Sequence, residues 1–373
     1  MVKDRTNSIL RILSVVFFLY LFLVSIGLMG EAFKGFGRDF AQRLIATTSN
    51  PFVGLFIGIL TTSLVQSSST TTCIVVGMVS SGVLTVPNAV PIVLGANVGT
   101  TVTNTLVSLG HISRREEFKR AVSGSTVHDF FNLMCVAIIL PLELLTGFLS
   151  TAAVSMTKIF ANFGGFQFTS PLKAVTEPGI DQCVALIKSF PLTAPLTSLL
   201  LLAISCVFLF LSLYFIVKNM RGLVVDRVEI LLNNVVGRHG LLAIFAGMIF
   251  TAVIQSSSIT TSLMIPLVAS GILTVETIFP ITMGANIGTT VTSMLAAFAT
   301  GNPAAISVAF SHFLFNLIGV TVLYPIRILR TVPVRMALHL GNLAYRRRRY
   351  VPIYVLTLFF LIPALLIFIS RIF

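Results

Sequence analysis

Long apolar runs broken by short polar islands pattern this chain. Residues 9–30 form a first run long enough to cross a bilayer as a helix. Residues 31–50 mix Lys34, Arg38, Asp39 and Arg43 with Phe36, Phe40 and Leu44, which predicts an amphipathic helix lying on a membrane surface. Residues 50–86 are apolar except at Gln66-Ser67-Ser68-Ser69-Thr70-Thr71-Thr72. Each flanking arm is too short to span alone, so a re-entrant helical hairpin with a polar tip is predicted. A single long helix with a serine-rich packing face is the competing reading. Residues 87–110 form a span interrupted by Gly95 and Gly99, which predicts a broken helix. Residues 121–149 span again, with His128, Asp129 and Asn132 near the start and Glu143, expected to be solvated, near the far interface.

The pattern then repeats. A hydrophilic link at residues 150–191 leads to a span after residue 192, and a basic, partly amphipathic link covers 218–240. Residues 241–275 are a second predicted hairpin, around Gln255-Ser256-Ser257-Ser258-Ile259-Thr260-Thr261. Residues 277–299 are a second predicted broken span, and 303–325 a following span with Ser311, His312 and Asn316. In both copies 31 residues separate the Gln of the tip from the Asn of a second island, Gly95-Ala96-Asn97-Val98-Gly99-Thr100-Thr101 or Gly284-Ala285-Asn286-Ile287-Gly288-Thr289-Thr290. About half of positions 56–103 are identical to 245–292, which marks a duplication. The predicted organisation is a first repeat (1–149), an inter-repeat loop (150–191), a second repeat (192–326), and a basic link with a last span (327–373).

Composition narrows the class. Of 373 residues, 55% are hydrophobic and only 10% charged, and mean hydropathy is +0.99. That describes a polytopic membrane protein, because a soluble core this apolar would lack the charges to cover its outside. The formal charge of +13 then reads as cytoplasmic loops rather than as a nucleic-acid surface. The four cysteines have no metal-ligand spacing, and no cleavable leader is expected. With the N-terminus cytoplasmic and the hairpins not crossing, cytoplasmic segments hold 18 of the 25 Lys and Arg. Each repeat then crosses three times, an odd number, so the second copy is inverted relative to the first. The predicted fold is an all-α polytopic membrane protein of two inverted-topology repeats, whose hairpin tips meet near the midplane.

The polar islands carry the candidate chemistry. Gln66, Ser67, Ser68, Ser69, Gln255, Ser256, Ser257 and Ser258 offer neutral donors, and free N–H groups at a helix start add to them. Such a set suits a small oxyanion, with Asn97, Thr100 and Asn286 as further candidates. The oxygens of Gln66, Thr100, Thr103, Asn132, Gln255, Ser256, Thr289, Thr292 and Asn316 suit a hard monovalent cation such as sodium. Asp129, a carboxylate inside a span, is a candidate ligand present in one half only, since Phe313 stands at the matching position. His128 and His312 read as packing or hydrogen-bonding residues, and the 346–349 arginine run as a lipid-facing or cytoplasmic anchor. An intramembrane hydrolase is disfavoured, because no base lies in sequence reach of either tip and no G-x-S-x-G or H-E-x-x-H occurs. A channel is disfavoured by two dead-end hairpins.

The paired Gln-Ser-Ser-Ser tips, the GANVGTTVTN and GANIGTTVTS stretches and SGSTVHDFFNL resemble the type II sodium-dependent phosphate cotransporters. The resemblance runs from the first hairpin to about residue 325. It implies no enzyme and no cofactor, but a symporter carrying inorganic phosphate inward with sodium as co-substrate. It implies a phosphate site between Ser67–Ser69 and Ser256–Ser258, and sodium ligands at Gln255, Ser256, Thr289 and Thr292. Asp129 matches the acidic position of the electrogenic members, although those carry alanines where this chain has Ser123 and Ser125. The short 150–191 link resembles bacterial members, which implies a bacterial inner membrane. Another oxyanion as cargo (sulfate, arsenate or a carboxylate) and a homodimeric assembly stay open.

Overall fold

A computed structural model describes residues 2–163, 171–235 and 240–370. Among these residues every regular element is helical. Six helices are long and apolar enough to cross a membrane, at Ser8–Gly35, Val86–His111, Arg115–Thr146, Ala194–Leu223, Pro303–Leu323 and Tyr350–Ile369. The chain is therefore an all-α polytopic membrane protein.

The first half comprises α1 (Val2–Gly35), α2 (Arg38–Thr48), α3 (Pro51–Val65), α4 (Ser68–Ser80), α5 (Val86–Gly99), α6 (Val102–Ser108) and α7 (Arg115–Thr146). The 150–191 link is not an extended hydrophilic loop. It contains α8 (Phe148–Phe163) and α9 (Pro171–Lys188), which pack on the span at 303–323 and on α1 respectively. Residues 164–170 of that link lie outside the described residues. α10 (Ala194–Val235) runs far into the basic link, of which 236–239 lie outside the described residues. The second half continues with α11 (Gly240–Ile254), α12 (Ser257–Ser262), α13 (Met264–Ala269), α14 (Val275–Thr300) and α15 (Pro303–Leu323). The link at 327–349 forms α16 (Arg327–Arg346), packed along α7. The last span comprises α17 (Tyr350–Val355), a π-helical turn (Leu356–Leu361) and α18 (Ile362–Ile369).

Helices α1 and α10 lie along each other at one side. Phe18 stacks on Phe215 with ring centroids 4.5 Å apart, and Asn219 Nδ2 donates to Ser14 Oγ at 3.0 Å. The hairpins, α5–α7, α14 and α15 build the main body.

In the second copy the island glycines do not break their helix, contrary to the sequence expectation, whereas in the first the helix ends on Gly99. In both copies they let two helices touch backbone to backbone. A Cβ on Gly95 would overlap the Leu55 carbonyl of α3, and one on Gly99 would press on Ile59 O and Thr62. In the second half Gly284 and Gly288 meet Ile244 and Met248 of α11 in the same way. This is the small-xxx-small mode of close helix packing. The first copy breaks at Thr100 and Thr101. Helix α14 passes the equivalent point unbroken over 26 residues. It falls outside the six apolar spans although it is long enough, and most of it is buried in protein, so its Thr, Asn and Gly load need not face lipid.

The halves are tied to each other at matching places. Arg120 Nε, near the start of α7, donates to the Ala269 carbonyl at 2.7 Å, at the end of α13. Asn302 Nδ2, which caps α15, donates to the Ser80 carbonyl at 3.0 Å, at the end of α4. The two carbonyls occupy equivalent positions in the duplication. Glu143 is not solvated. It is 8% exposed, and its Oε2 accepts the backbone N–H of Leu149 (2.6 Å) and of Ser150 (3.2 Å), at the start of α8.

Packing of this kind is sensitive to a single methyl. Gly284→Ala is expected to lower stability by about 1–3 kcal/mol through overpacking. Gly110→Ala, with nothing within 4 Å of the new carbon, is expected to leave it unchanged. Thermal unfolding of both variants in detergent checks this.

Candidate functional site

Both hairpins turn by the same device. Helix α3 ends on Gln66, whose φ of 57° lies in the left-handed region, and its N–H donates to Thr62 O at 2.6 Å. Gln255 does the same with φ 64° and an N–H donating to Thr251 O at 2.7 Å. These are the non-glycine residues with positive φ among those described, a costly conformation held by its surroundings. The next residue is extended and caps the following helix. Ser67 Oγ accepts from Thr70 N at 3.2 Å, and Ser256 Oγ from Ile259 N at 3.4 Å. A hydroxyl rung then joins the arms, Thr62 to Thr71 at 2.9 Å and Thr251 to Thr260 at 2.6 Å. The serine content of the tip thus both closes the turn and starts the second arm.

The tips converge on one cavity of about 520 Å³. Gln66, Ser67, Ser68, Ser69 and Thr100 line it from the first half, and Gln255, Ser256, Ser257 and Ser258 from the second. Val65, Thr70 and Ile259 complete that side. The opposite wall is α10, through Phe210, Leu213, Tyr214, Val217, Lys218 and Arg221. Sequence reasoning missed this wall, because α10 reads as an ordinary lipid-facing span until its neighbours are known. Lys218 and Arg221 lie near the end of that span.

The tips are equivalent in backbone but not in side chains. Gln255 folds back, its Nε2 donating to Ala252 O (2.6 Å) and its Oε1 accepting from Thr292 Oγ1 (2.7 Å). Gln66 is exposed, and Thr103, the counterpart of Thr292, has a buried Oγ1 with no partner. Thr289 and Thr100 each donate to a carbonyl one turn back, Ala285 O and Ala96 O, both at 3.0 Å.

Asn97, Asn286, Asn132 and Asn316 are not among the cavity-lining residues. They meet behind the tips in a buried network between the halves. His128 Nε2 donates to Asn286 Oδ1 at 2.5 Å, and His312 Nε2 to Asn97 Oδ1 at 3.3 Å. Each histidine's other nitrogen faces its own half. His128 Nδ1 accepts from Asn104 Nδ2 at 3.4 Å, and His312 Nδ1 lies 3.1 Å from Ser293 Oγ. Asn286 Nδ2 donates to Asn132 Oδ1 (2.6 Å), Asn132 Nδ2 to Asn97 O (2.8 Å), and Asn316 Nδ2 to Asn97 Oδ1 (3.3 Å). Asn104 and Ser293 were overlooked in the sequence, although they stand at equal distances beyond Asn97 and Asn286. The island asparagines face the third helices because they lie on the opposite side of α5 and α14 from the tip arms.

Asp129 is fully buried, and its Oδ2 accepts from Tyr354 O–H at 2.9 Å. Arg120, on the same helix, is engaged with Ala269 O.

The profile of the Na+/Pi-cotransporter family matches residues 21–169 and 208–337. The chain belongs to this family. Among family relatives, the human sodium-dependent phosphate transport protein 2B is 34% identical over 443 residues, covering 95% of this chain and 64% of that protein. The rat sodium-dependent phosphate transport protein 2A is 34% identical over 435 residues, covering 98% of this chain and 68% of that protein. The chain thus spans under two thirds of the length of the 2B relative. No solved structure matches it.

The inter-half network predicts a measurable coupling. Asn286→Ala leaves His128 and Asn132 short of a partner in a dry site, at about 1–3 kcal/mol. A double-mutant cycle of His128→Ala and Asn286→Ala, read by thermal unfolding, is expected to be non-additive by at least about 0.5 kcal/mol.

Proposed function

We propose that this chain is a secondary symporter of a bacterial inner membrane, coupling inward sodium movement to uptake of inorganic phosphate. The observation that carries the reading is the convergence of two identical, strained Gln-Ser tips on one cavity. Phosphate is held there by the hydroxyls and leading N–H groups of Ser67–Ser69 and Ser256–Ser258. The positive ends of α4 and of the helix spanning Ser257–Ala269 favour its charge. Hydrogen bonds to a charged group contribute about 1.5–3 kcal/mol each, enough for binding without a lysine that would slow release. Sodium takes oxygens around the second tip, from Gln255, Ser256, Thr289 and Thr292. Asp129, with Thr101 beside it, serves a further ion in the first half. A cation near the anion offsets its charge, so each raises the affinity for the other by the same factor.

The two halves have inverted topology in this reading. The reciprocal ties Arg120–Ala269 and Asn302–Ser80, with the histidine–asparagine exchange, support a pseudo-two-fold relation. They also support movement of both hairpins as one body against the α1–α10 pair, of which α10 walls the cavity. Net inward charge per cycle then draws about 2.3 kcal/mol per charge per 100 mV from the membrane potential.

Proteoliposomes test the reading. An imposed inward sodium gradient is expected to drive phosphate accumulation with an inward current, and uptake indifferent to sodium ends it. Full inhibition by excess sulfate or a carboxylate reassigns the cargo. Ser68→Ala combined with Ser257→Ala removes one donor from each tip. The phosphate half-saturation is expected to rise about tenfold or more, since each 1.4 kcal/mol lost is a factor of ten.

A further inference from the structure

We propose that Tyr354, in the last span outside the duplication, is a positioning residue for a cation site at Asp129. The proposal rests on the sodium-coupled reading above and adds to it a residue from outside both halves.

Three observations meet at this point. First, Asp129 is 0% exposed in the middle of α7, and its Oδ1 has no hydrogen-bond partner. A buried carboxylate oxygen without a partner is costly, and a bound cation would satisfy it. Second, the same carboxylate is held by Tyr354 O–H through Oδ2 at 2.9 Å. That bond fixes the rotation of the carboxylate and leaves Oδ1 as its free oxygen. Third, Tyr354 is itself held. Its ring centroid lies 6.0 Å from that of Phe130, the neighbour of Asp129 in sequence, and 6.0 Å from that of the buried Phe359. Tyr354 and Phe359 are five residues apart, the repeat of a π-turn, and the chain is π-helical at Leu356–Leu361. The irregular turn, which begins two residues after Tyr354, thus sets Phe359 edge-on against the tyrosine ring, whose hydroxyl lies on the carboxylate.

Place in the fold also favours the role. Thr101 neighbours Asp129 and sits in the break between α5 and α6, next to Thr100, which lines the cavity between the tips. The duplication supplies neither partner of this pair in the second half, where Phe313 replaces the aspartate. Acid and tyrosine therefore form a unit added to one half.

The test is sodium activation of phosphate uptake by the full chain in proteoliposomes, for wild type, Tyr354→Phe, Asp129→Asn and the double variant. Tyr354→Phe removes the hydroxyl and keeps the ring. The sodium concentration for half-maximal uptake is expected to rise at least threefold, and the rate to recover as sodium is raised. In the Asp129→Asn background, Tyr354→Phe is expected to shift the sodium dependence no further. Unchanged sodium activation in Tyr354→Phe overturns the proposal, as does a lower rate that sodium does not restore, or a full additional shift in the double variant. If Asp129→Asn leaves sodium activation and current as in wild type, the proposal falls while the symport reading stands. If wild-type uptake ignores sodium, the symport reading falls and takes this proposal with it.

Discussion

Polar groups removed from water must find partners, and the rest of this fold answers to that constraint. In hydrocarbon an unpaired N–H or carbonyl costs several kcal/mol. This chain carries amides, imidazoles and hydroxyls at the centre of its apolar body, and the duplication satisfies them by exchange. His128 reaches Asn286, and His312 reaches Asn97. Neither half completes its own network. The polar interior therefore acts as the joint between two apolar halves.

Departures from equivalence between the halves are as informative as the match. The backbone of the two tips agrees to within a few degrees, yet Gln255 is tied to Thr292 while Gln66 is exposed. Helix α14 is continuous where the first half breaks between α5 and α6. Among the described residues the third span of the first half carries a buried carboxylate, Asp129, which accepts a hydrogen bond from Tyr354 of the last span. The two tips thus share a backbone turn but differ in the side chains around it.

Much of this was legible in the sequence, for an identifiable reason. A run such as Gln66-Ser67-Ser68-Ser69 inside apolar flanks is costly unless used, so the tips stood out. The same argument marked Asp129 and took His128 and His312 for packing or hydrogen-bonding residues, and both histidines do bond across the halves. It failed where a contact across the chain decides the outcome. Gly284 and Gly288 read as a break because a glycine pair is ambiguous until its neighbour, here α11, is known. Glu143 read as solvated because its partners are the backbone N–H groups of a helix that the link was not expected to contain. Tyr354 was invisible, since nothing local marks a tyrosine whose partner lies over two hundred residues away. The cavity wall on α10 escaped for the same reason.

The reciprocal ties at the hairpin ends bear on biosynthesis. The Ser80 carbonyl waits for Asn302, and the Ala269 carbonyl already has Arg120 in place when it emerges. Synthesis from the N-terminus therefore leaves the earlier hairpin incompletely anchored until nearly the whole second copy has been inserted. During that interval His128 and Asn97 lack the partners that the second copy brings.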